Sequence, residues 1–137
     1  MASHGIFATT INCMDGRAVE ATASWMKDKF HLDHVDAITE PGMDAYIASM
    51  DQTASALLKK KLEISIGHHG SRIITVGGHE DCAGNPVDEG RHKEDIARGV
   101  QVVKKMIADL KPDAPIQVLG LYIFLEKDSL TWKVEQI

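Results

Sequence analysis

Apolar residues are arranged along the chain in two patterns, and each pattern predicts one type of secondary-structure element. Short runs of β-branched and apolar residues predict buried strands, whereas apolar residues three or four positions apart predict helices with one buried face. Five segments show the strand pattern: residues 5–13, 34–39, 72–78, 116–126 and 130–137. Three segments show the helix pattern: residues 18–30, 51–69 and 93–110. The last helix is the clearest, because its apolar stripe ends just before a proline: Ile96, Val100, Val103, Ile107, Leu110 and Pro112.

The order of these elements, β-α-β-α-β-α-β-β, predicts an α/β fold. We expect a mostly parallel central sheet of about five strands with helices on both faces. A tight turn at residues 127–129 makes the last strand an antiparallel edge. The length of 137 residues suits one hydrophobic core, so residues 1–137 are predicted to form a single domain.

Composition and charge argue against some classes of protein. The chain is 44% hydrophobic and 26% charged, with a formal net charge of −5, as is ordinary for a globular protein. The acidic balance and scattered lysines argue against a nucleic-acid partner. The sequence has no apolar run of membrane-span length and no secretory signal pattern at its start. We therefore expect a cytoplasmic protein without a membrane or nucleic-acid partner.

The candidate chemistry lies at the ends of two predicted strands. Cys13 ends the first strand, and His79 and Cys82 follow the third. In open α/β sheets ligands bind beyond the carboxyl ends of the strands, so these three side chains converge if the two strands are neighbours. Two thiolates and one imidazole suit Zn²⁺, and three protein ligands leave the fourth position open, as in catalytic zinc sites. Such a site supplies zinc-bound hydroxide at neutral pH.

Asp15 and Arg17 follow Cys13 at intervals of two residues. Asp15 is placed to accept the proton of the hydroxide and hold it in one orientation. A free carboxylate so close to the metal could instead become its fourth ligand, and a bidentate pair with Arg17 would hold it back. Asp15 and Arg17 are therefore the candidate catalytic residues.

The two motifs together resemble the zinc signature of the β-class carbonic anhydrases. That signature is Cys-x-Asp-x-Arg followed by His-x-x-Cys, and the element order is similar from about Gly5 to the end of the chain. The resemblance implies that Cys13, His79 and Cys82 bind zinc. It also implies reversible hydration of carbon dioxide to bicarbonate, and a homodimer or a higher dimer-based assembly.

The chain resembles a short, divergent member of that class. Its first strand begins within a few residues of the start of the sequence, where the family usually carries a longer helical arm. Its loop after the second strand reads Thr39-Glu40-Pro41-Gly42, where the family usually has Arg-Asn-Ala-Gly. The differences fall on the expected substrate pocket more than on the metal ligands.

Several alternatives stay open at this point. The same site could hydrolyse a related heterocumulene, carbonyl sulfide or carbon disulfide, or could belong to a non-catalytic zinc-binding or sensing protein. The cysteines could be small core residues or a disulfide, and Asp15 and Arg17 could be a plain loop ion pair. Among neighbouring residues we expect Asp81 to be solvated and Trp132 to be a packing anchor. We expect His92 to lie at the surface, with a place in the cleft as a proton shuttle as the alternative.

Overall fold

A computed structural model of the protein describes residues 4–137. The strands in this part of the chain are β1 (Phe7–Asn12), β2 (His34–Thr39), β3 (Ile73–His79), β4 (Gln117–Glu126) and β5 (Thr131–Gln136). The α-helices are α1 (Gly16–Phe30), α2 (Met43–Ser49), α3 (Gln52–Glu63) and α4 (Glu89–Leu110). A π-helical segment, Ile64–His68, continues α3 without a break.

The strands form one sheet in the order β2-β1-β3-β4-β5. β1 to β4 run parallel, and β5 is an antiparallel edge beside β4, which confirms the predicted fold class. β1 lies directly beside β3, with Ile11 opposite Val76. The carboxyl ends of these two strands are therefore neighbours, as the predicted site requires.

Alternating residues of β3 divide the sheet into two faces. Ile74 and Val76 enter the apolar core that α2, α3 and α4 cover. Thr75, between them, points to the other face, where its hydroxyl donates to Thr10 Oγ1 at 2.8 Å and contacts Met26 Sδ of α1 at 3.5 Å. Helices therefore pack on both faces, because the side chains of a strand point alternately to each.

The predicted stripe of α4 faces this core. Ile96, Val103 and Ile107 are fully or almost fully buried, and Val100 and Leu110 are half-buried against the same cluster. Burial of this apolar face drives the helix onto the sheet. Within residues 4–137, no helix combines the length and the apolar character needed to span a bilayer.

The structure differs from the prediction mainly around α2. The sequence pattern predicts no element for residues 43–50, but α2 begins directly after Gly42, which adopts a left-handed conformation with φ 58°. A seven-residue helix is too short to show a clear helical period in sequence. The predicted helix over residues 51–69 is α3 followed by the π-helical segment, and α4 begins four residues early because Asp88 caps it by accepting from Arg91 N at 2.8 Å.

Candidate metal centre

Three side chains converge where β1 and β3 end. Cys13 directly follows β1, His79 is the last residue of β3, and Cys82 lies in the loop that leaves β3. One ligand atom from each of the three lies within 4.8 Å of the other two. The parallel pairing of β1 and β3 delivers these residues to one place, as the sequence predicted.

The geometry of this cluster fits a metal ion. The two sulfur atoms lie 3.9 Å apart, and both cysteines are free thiols. Two sulfurs bound to a tetrahedral zinc at about 2.3 Å would be separated by about 3.8 Å. The exposed fractions are only 6% for Cys13, 1% for His79 and 4% for Cys82, so the cluster is shielded from water.

The hydrogen bonding of His79 leaves one ring nitrogen ready to bind a metal. Its Nδ1 lies 2.7 Å from the carbonyl oxygen of Glu80. Because a carbonyl can only accept, Nδ1 carries the proton and donates, and Nε2 keeps its lone pair. That Nε2 atom is buried and has no hydrogen-bond partner among the described residues. A buried unpaired acceptor costs free energy, and a metal ion held with the two sulfurs would satisfy it.

Metal binding at Cys82 requires the loss of the thiol proton. Burial, with the neighbouring Cys13 sulfur, raises the pKa of the Cys82 thiol from 9.0 to about 11. The thiol is therefore neutral at physiological pH in the metal-free protein. A metal ion would have to displace its proton, since the thiolate is the ligand form.

Asp15 and Arg17 form a bidentate ion pair beside this cluster. Arg17 Nε donates to Asp15 Oδ1 at 3.0 Å, and Arg17 Nη2 donates to Asp15 Oδ2 at 2.7 Å. Asp15 also caps α1, because its Oδ1 accepts from the backbone N–H of Arg17 at 2.9 Å. The hydrogen bonds from Arg17 lower the pKa of Asp15 from 3.8 to about 2 against the opposing effect of burial. At neutral pH this carboxylate is therefore an acceptor only.

Arg17 has two further partners, Asp81 and Trp132, that no sequence motif indicates. Its Nη1 donates to Asp81 Oδ2 at 3.1 Å, and its Nη2 reaches the Asp81 carbonyl oxygen at 3.2 Å. Its guanidinium carbon lies 4.9 Å from the ring centroid of Trp132 on β5. Asp81 is exposed, as expected for a solvated residue, but it binds Arg17 from the segment between His79 and Cys82.

A buried polar network fixes the loop that follows Cys82. The amide nitrogen of Asn85 donates to Asp44 of α2 at 3.2 Å and to Asp95 of α4 at 3.0 Å. His92 Nδ1 lies 2.6 Å from the other carboxylate oxygen of Asp44. The expectation that His92 lies at the surface was wrong, since its side chain is fully buried. Asp44 accepts the hydrogen bond of Nδ1 inside the protein, whereas Nε2 of His92 is buried without a partner among the described residues.

The loops after β2 and β3 touch through their backbones. A Cβ atom on Gly84 would lie 2.5 Å from the nitrogen of Gly42, and a Cβ atom on Gly42 would lie 2.5 Å from the carbonyl oxygen of Gly84. Only glycine allows backbones to approach so closely. The Pro41-Gly42 segment of the β2 loop therefore supports the loop that carries Cys82.

Comparison with known proteins assigns the family. A family model described as "Putative carbonic anhydrase" matches residues 3–137. The chain belongs to this carbonic anhydrase family. Membership confirms the resemblance inferred from the two motifs, and members of this family use a metal. It also implies an enzyme of the lyase type.

Solved carbonic anhydrases share the fold. The β-carbonic anhydrase CafA of Aspergillus fumigatus matches with a TM-score of 0.57 and 16% identity, over 98% of this chain and 76% of that one. The carbonic anhydrase of Streptococcus mutans matches with a TM-score of 0.50 and 20% identity, over 94% of this chain and 80% of that one. No curated protein matches the sequence significantly. At these identities the structural likeness establishes the fold alone.

Proposed function

We propose that the protein catalyses the zinc-dependent, reversible hydration of carbon dioxide to bicarbonate, with Cys13, His79 and Cys82 holding the zinc ion. One observation carries the proposal: two sulfurs 3.9 Å apart and an unpartnered imidazole nitrogen share a buried site in a chain of the carbonic anhydrase family. Three protein ligands leave a fourth position for a reacting molecule, which a closed structural zinc site would not need.

When bound, zinc would act as a Lewis acid that lowers the pKa of water to about 7 and so supplies hydroxide at neutral pH. Cys13, His79 and Cys82 are themselves buried, so bulk water has little access to their ligand atoms. The hydrogen bond from His79 Nδ1 to the Glu80 carbonyl fixes the ring so that Nε2 faces the sulfurs.

Asp15 has the role of orienting the nucleophile rather than of removing its proton. A carboxyl group with a pKa of about 2 stays ionised at neutral pH and is too weak a base to take a proton there. Its Oδ1 already accepts two N–H groups of Arg17, whereas Oδ2 accepts one and keeps a lone pair. That lone pair is available to accept an O–H from the attacking molecule.

Arg17 has the role of restraining Asp15. Its planar guanidinium occupies one lone pair on each carboxylate oxygen, which makes rotation of Asp15 toward the metal position costly. A zinc ion kept only for structure would need neither residue, so the pair disfavours a non-catalytic zinc protein. In this proposal Asp15 and Arg17 are the catalytic pair.

Assembly and location are also part of the proposal. We infer a homodimer or a higher dimer-based oligomer, as the resemblance implies. We infer a cytoplasmic location because two free thiols 3.9 Å apart would be open to oxidation outside a reducing compartment.

A stopped-flow assay of carbon dioxide hydration, with zinc measured on the same sample, tests the proposed function. We expect activity in the zinc-loaded protein and its loss in Cys82→Ser together with most of the zinc. Zinc-loaded protein that does not hydrate carbon dioxide would contradict the proposal. Carbonyl sulfide and carbon disulfide, supplied as alternative substrates, then decide whether the site hydrolyses a related heterocumulene or has no turnover.

A further inference from the structure

Three residues contact the Arg17 side chain, and only one of them, Asp15, belongs to the signature motif. Asp15 binds two of its nitrogen atoms, Asp81 binds Nη1 through its carboxylate, and the ring of Trp132 stacks against the guanidinium carbon. The Asp81 carbonyl oxygen also accepts from Nη2, at 3.2 Å. These contacts join segments that are distant in sequence, namely the start of α1, the loop after β3 and the edge strand β5.

The backbone conformation of Asp81 is unusual and directs two of its acceptors to Arg17. Asp81 has φ 59°, in the left-handed region that non-glycine residues rarely adopt. This conformation lies within the four-residue segment from His79 to Cys82. It brings both the carboxylate and the carbonyl oxygen of Asp81 to Arg17, so one residue supplies two acceptors.

Arg17 alone cannot restrain Asp15 if its own side chain is free to turn. A long arginine side chain has many rotamers, and holding it in one of them has an entropic cost. Contacts with other groups offset that cost, because they leave the guanidinium in the orientation that binds the carboxylate through Nε and Nη2.

We propose that Asp81 and Trp132 are positioning residues that hold Arg17 against Asp15, and thereby keep Asp15 off the position that a metal on Cys13, His79 and Cys82 leaves open. The claim about the open metal position rests on the proposed function. The claim that Asp81 and Trp132 hold Arg17 in place does not. Asp81 binds Arg17 by charge and hydrogen bonding, and Trp132 binds it by a cation–π contact.

Nuclear magnetic resonance of the arginine side chain in the metal-free protein tests whether Asp81 and Trp132 hold Arg17 in place. In the wild type we expect slow rotation of the guanidinium group and separate signals for its N–H protons. In the double variant Asp81→Asn/Trp132→Leu we expect these signals to average. Asparagine suits the test because it tolerates the left-handed conformation that residue 81 adopts. Signals that stay separate in the double variant would overturn the proposal, since Asp15 alone would then hold Arg17.

The effect on Asp15 can be tested in the cobalt(II)-substituted protein, with azide as a probe of the open position. If Asp15 moves onto the metal, azide must compete with it. We expect each single variant to weaken azide binding about threefold and the double variant to weaken it about tenfold. Loss of a negative charge by itself would strengthen the binding of an anion, so the direction of the change distinguishes occlusion from a general charge effect.

Two controls make the result specific. Asp128→Asn removes an exposed negative charge from the turn between β4 and β5, which makes none of these contacts with Arg17, so it should not weaken azide binding. Adding Asp15→Asn to the double variant should restore azide binding, because the competing carboxylate is gone. Unchanged or stronger azide binding in the double variant would overturn the role of Asp81 and Trp132.

If the proposed function is wrong, these experiments give a different result. A wild-type protein that gives no cobalt–thiolate absorption would contradict the metal site itself, and with it the claim about the open position. The guanidinium signals of the metal-free protein would still decide, separately, whether Asp81 and Trp132 hold Arg17.

Discussion

His79 shows how one hydrogen bond at the scale of a residue determines what a side chain can do. Its bond to the Glu80 carbonyl places the proton on Nδ1 and leaves Nε2 as a buried acceptor without a partner. Arg17 acts on Asp15 in a comparable way, because its hydrogen bonds keep the carboxylate ionised and limit it to accepting. In both residues the neighbouring groups select one of several possible chemical forms.

The raised pKa of Cys82 makes metal binding dependent on pH. Because the thiol is protonated up to a pKa of about 11, zinc must release its proton on binding. We expect the apparent affinity for zinc to rise about tenfold per pH unit between pH 7 and 9 from this proton alone. Calorimetric titrations in two buffers with different enthalpies of ionisation would count the released protons. A count of zero would contradict the assignment of Cys82 as a thiolate ligand.

Substitutions at the catalytic pair should separate metal binding from turnover. Arg17→Ala frees Asp15 to occupy the open position, so we expect zinc to stay bound and turnover to be abolished. Asp15→Asn should also keep zinc, but it loses the orienting acceptor and should lower the rate on the order of a hundredfold. Stopped-flow rates, normalised to zinc content, measure both effects. If both variants are as active as the wild type, the pair is only a loop ion pair.

At the scale of elements, the site depends on the contact between the β2 and β3 loops. A Cβ atom on Gly84 would meet backbone atoms of Gly42 and Pro41 at 2.5 Å and 2.7 Å, and backbone cannot move aside without shifting the loop. We expect Gly84→Ala to destabilise the fold by about 1–3 kcal/mol and to weaken zinc binding, because Cys82 is two residues away. Gly67→Ala, where a Cβ atom meets nothing within 4 Å, is the matched control. Thermal melts and zinc titrations that fail to separate the two variants would contradict this role.

The sequence predicted the elements whose signal is periodic. The α4 stripe and the strand patterns identified the order of elements, and parallel pairing then placed Cys13 beside His79 and Cys82. The helix α2 was not predicted because it is too short to show a period. The burial of His92 was not predicted either, since it depends on Asp44, 48 residues away in sequence.

Contacts between distant segments explain the rest of what sequence reasoning missed. Nothing in the local sequence shows that Asp81 adopts φ 59°. Nor does it show that Trp132 lies against Arg17, because that contact depends on how β5 lies beside β4. The aspartate before α1 did carry a local signal, since aspartate is a favoured helix N-cap. Asp15 is that cap, and its bond to Arg17 N orients the carboxylate as well as the helix.

At the scale of the whole molecule, assembly and domain extent stay predictions. We expect a two-fold dimer formed in part by helix faces. Leu57 on α3 is 55% exposed, and Ile64, just after that helix, is 45% exposed, so this face is a candidate contact. Residues 1–137 are expected to fold as one unit, with a single cooperative thermal transition.

Light scattering over a range of concentrations tests the dimer. We expect Leu57→Glu to shift the protein toward monomer, because it places a charge on an apolar contact. Leu130→Glu changes a more exposed leucine, 73% exposed at the β4–β5 turn, and should leave the assembly unchanged. A wild type that is monomeric at every concentration would refute the dimer.

X-ray absorption at the zinc edge of the purified protein shows whether the two motifs build one open zinc site. We expect about one zinc per chain, with two sulfur atoms at about 2.3 Å, one imidazole nitrogen at about 2.0–2.1 Å and one further light atom. Cys82→Ser should lose most of the zinc. A zinc ion without two sulfur ligands, or protein that binds no zinc although both thiols are reduced, would contradict the proposed site.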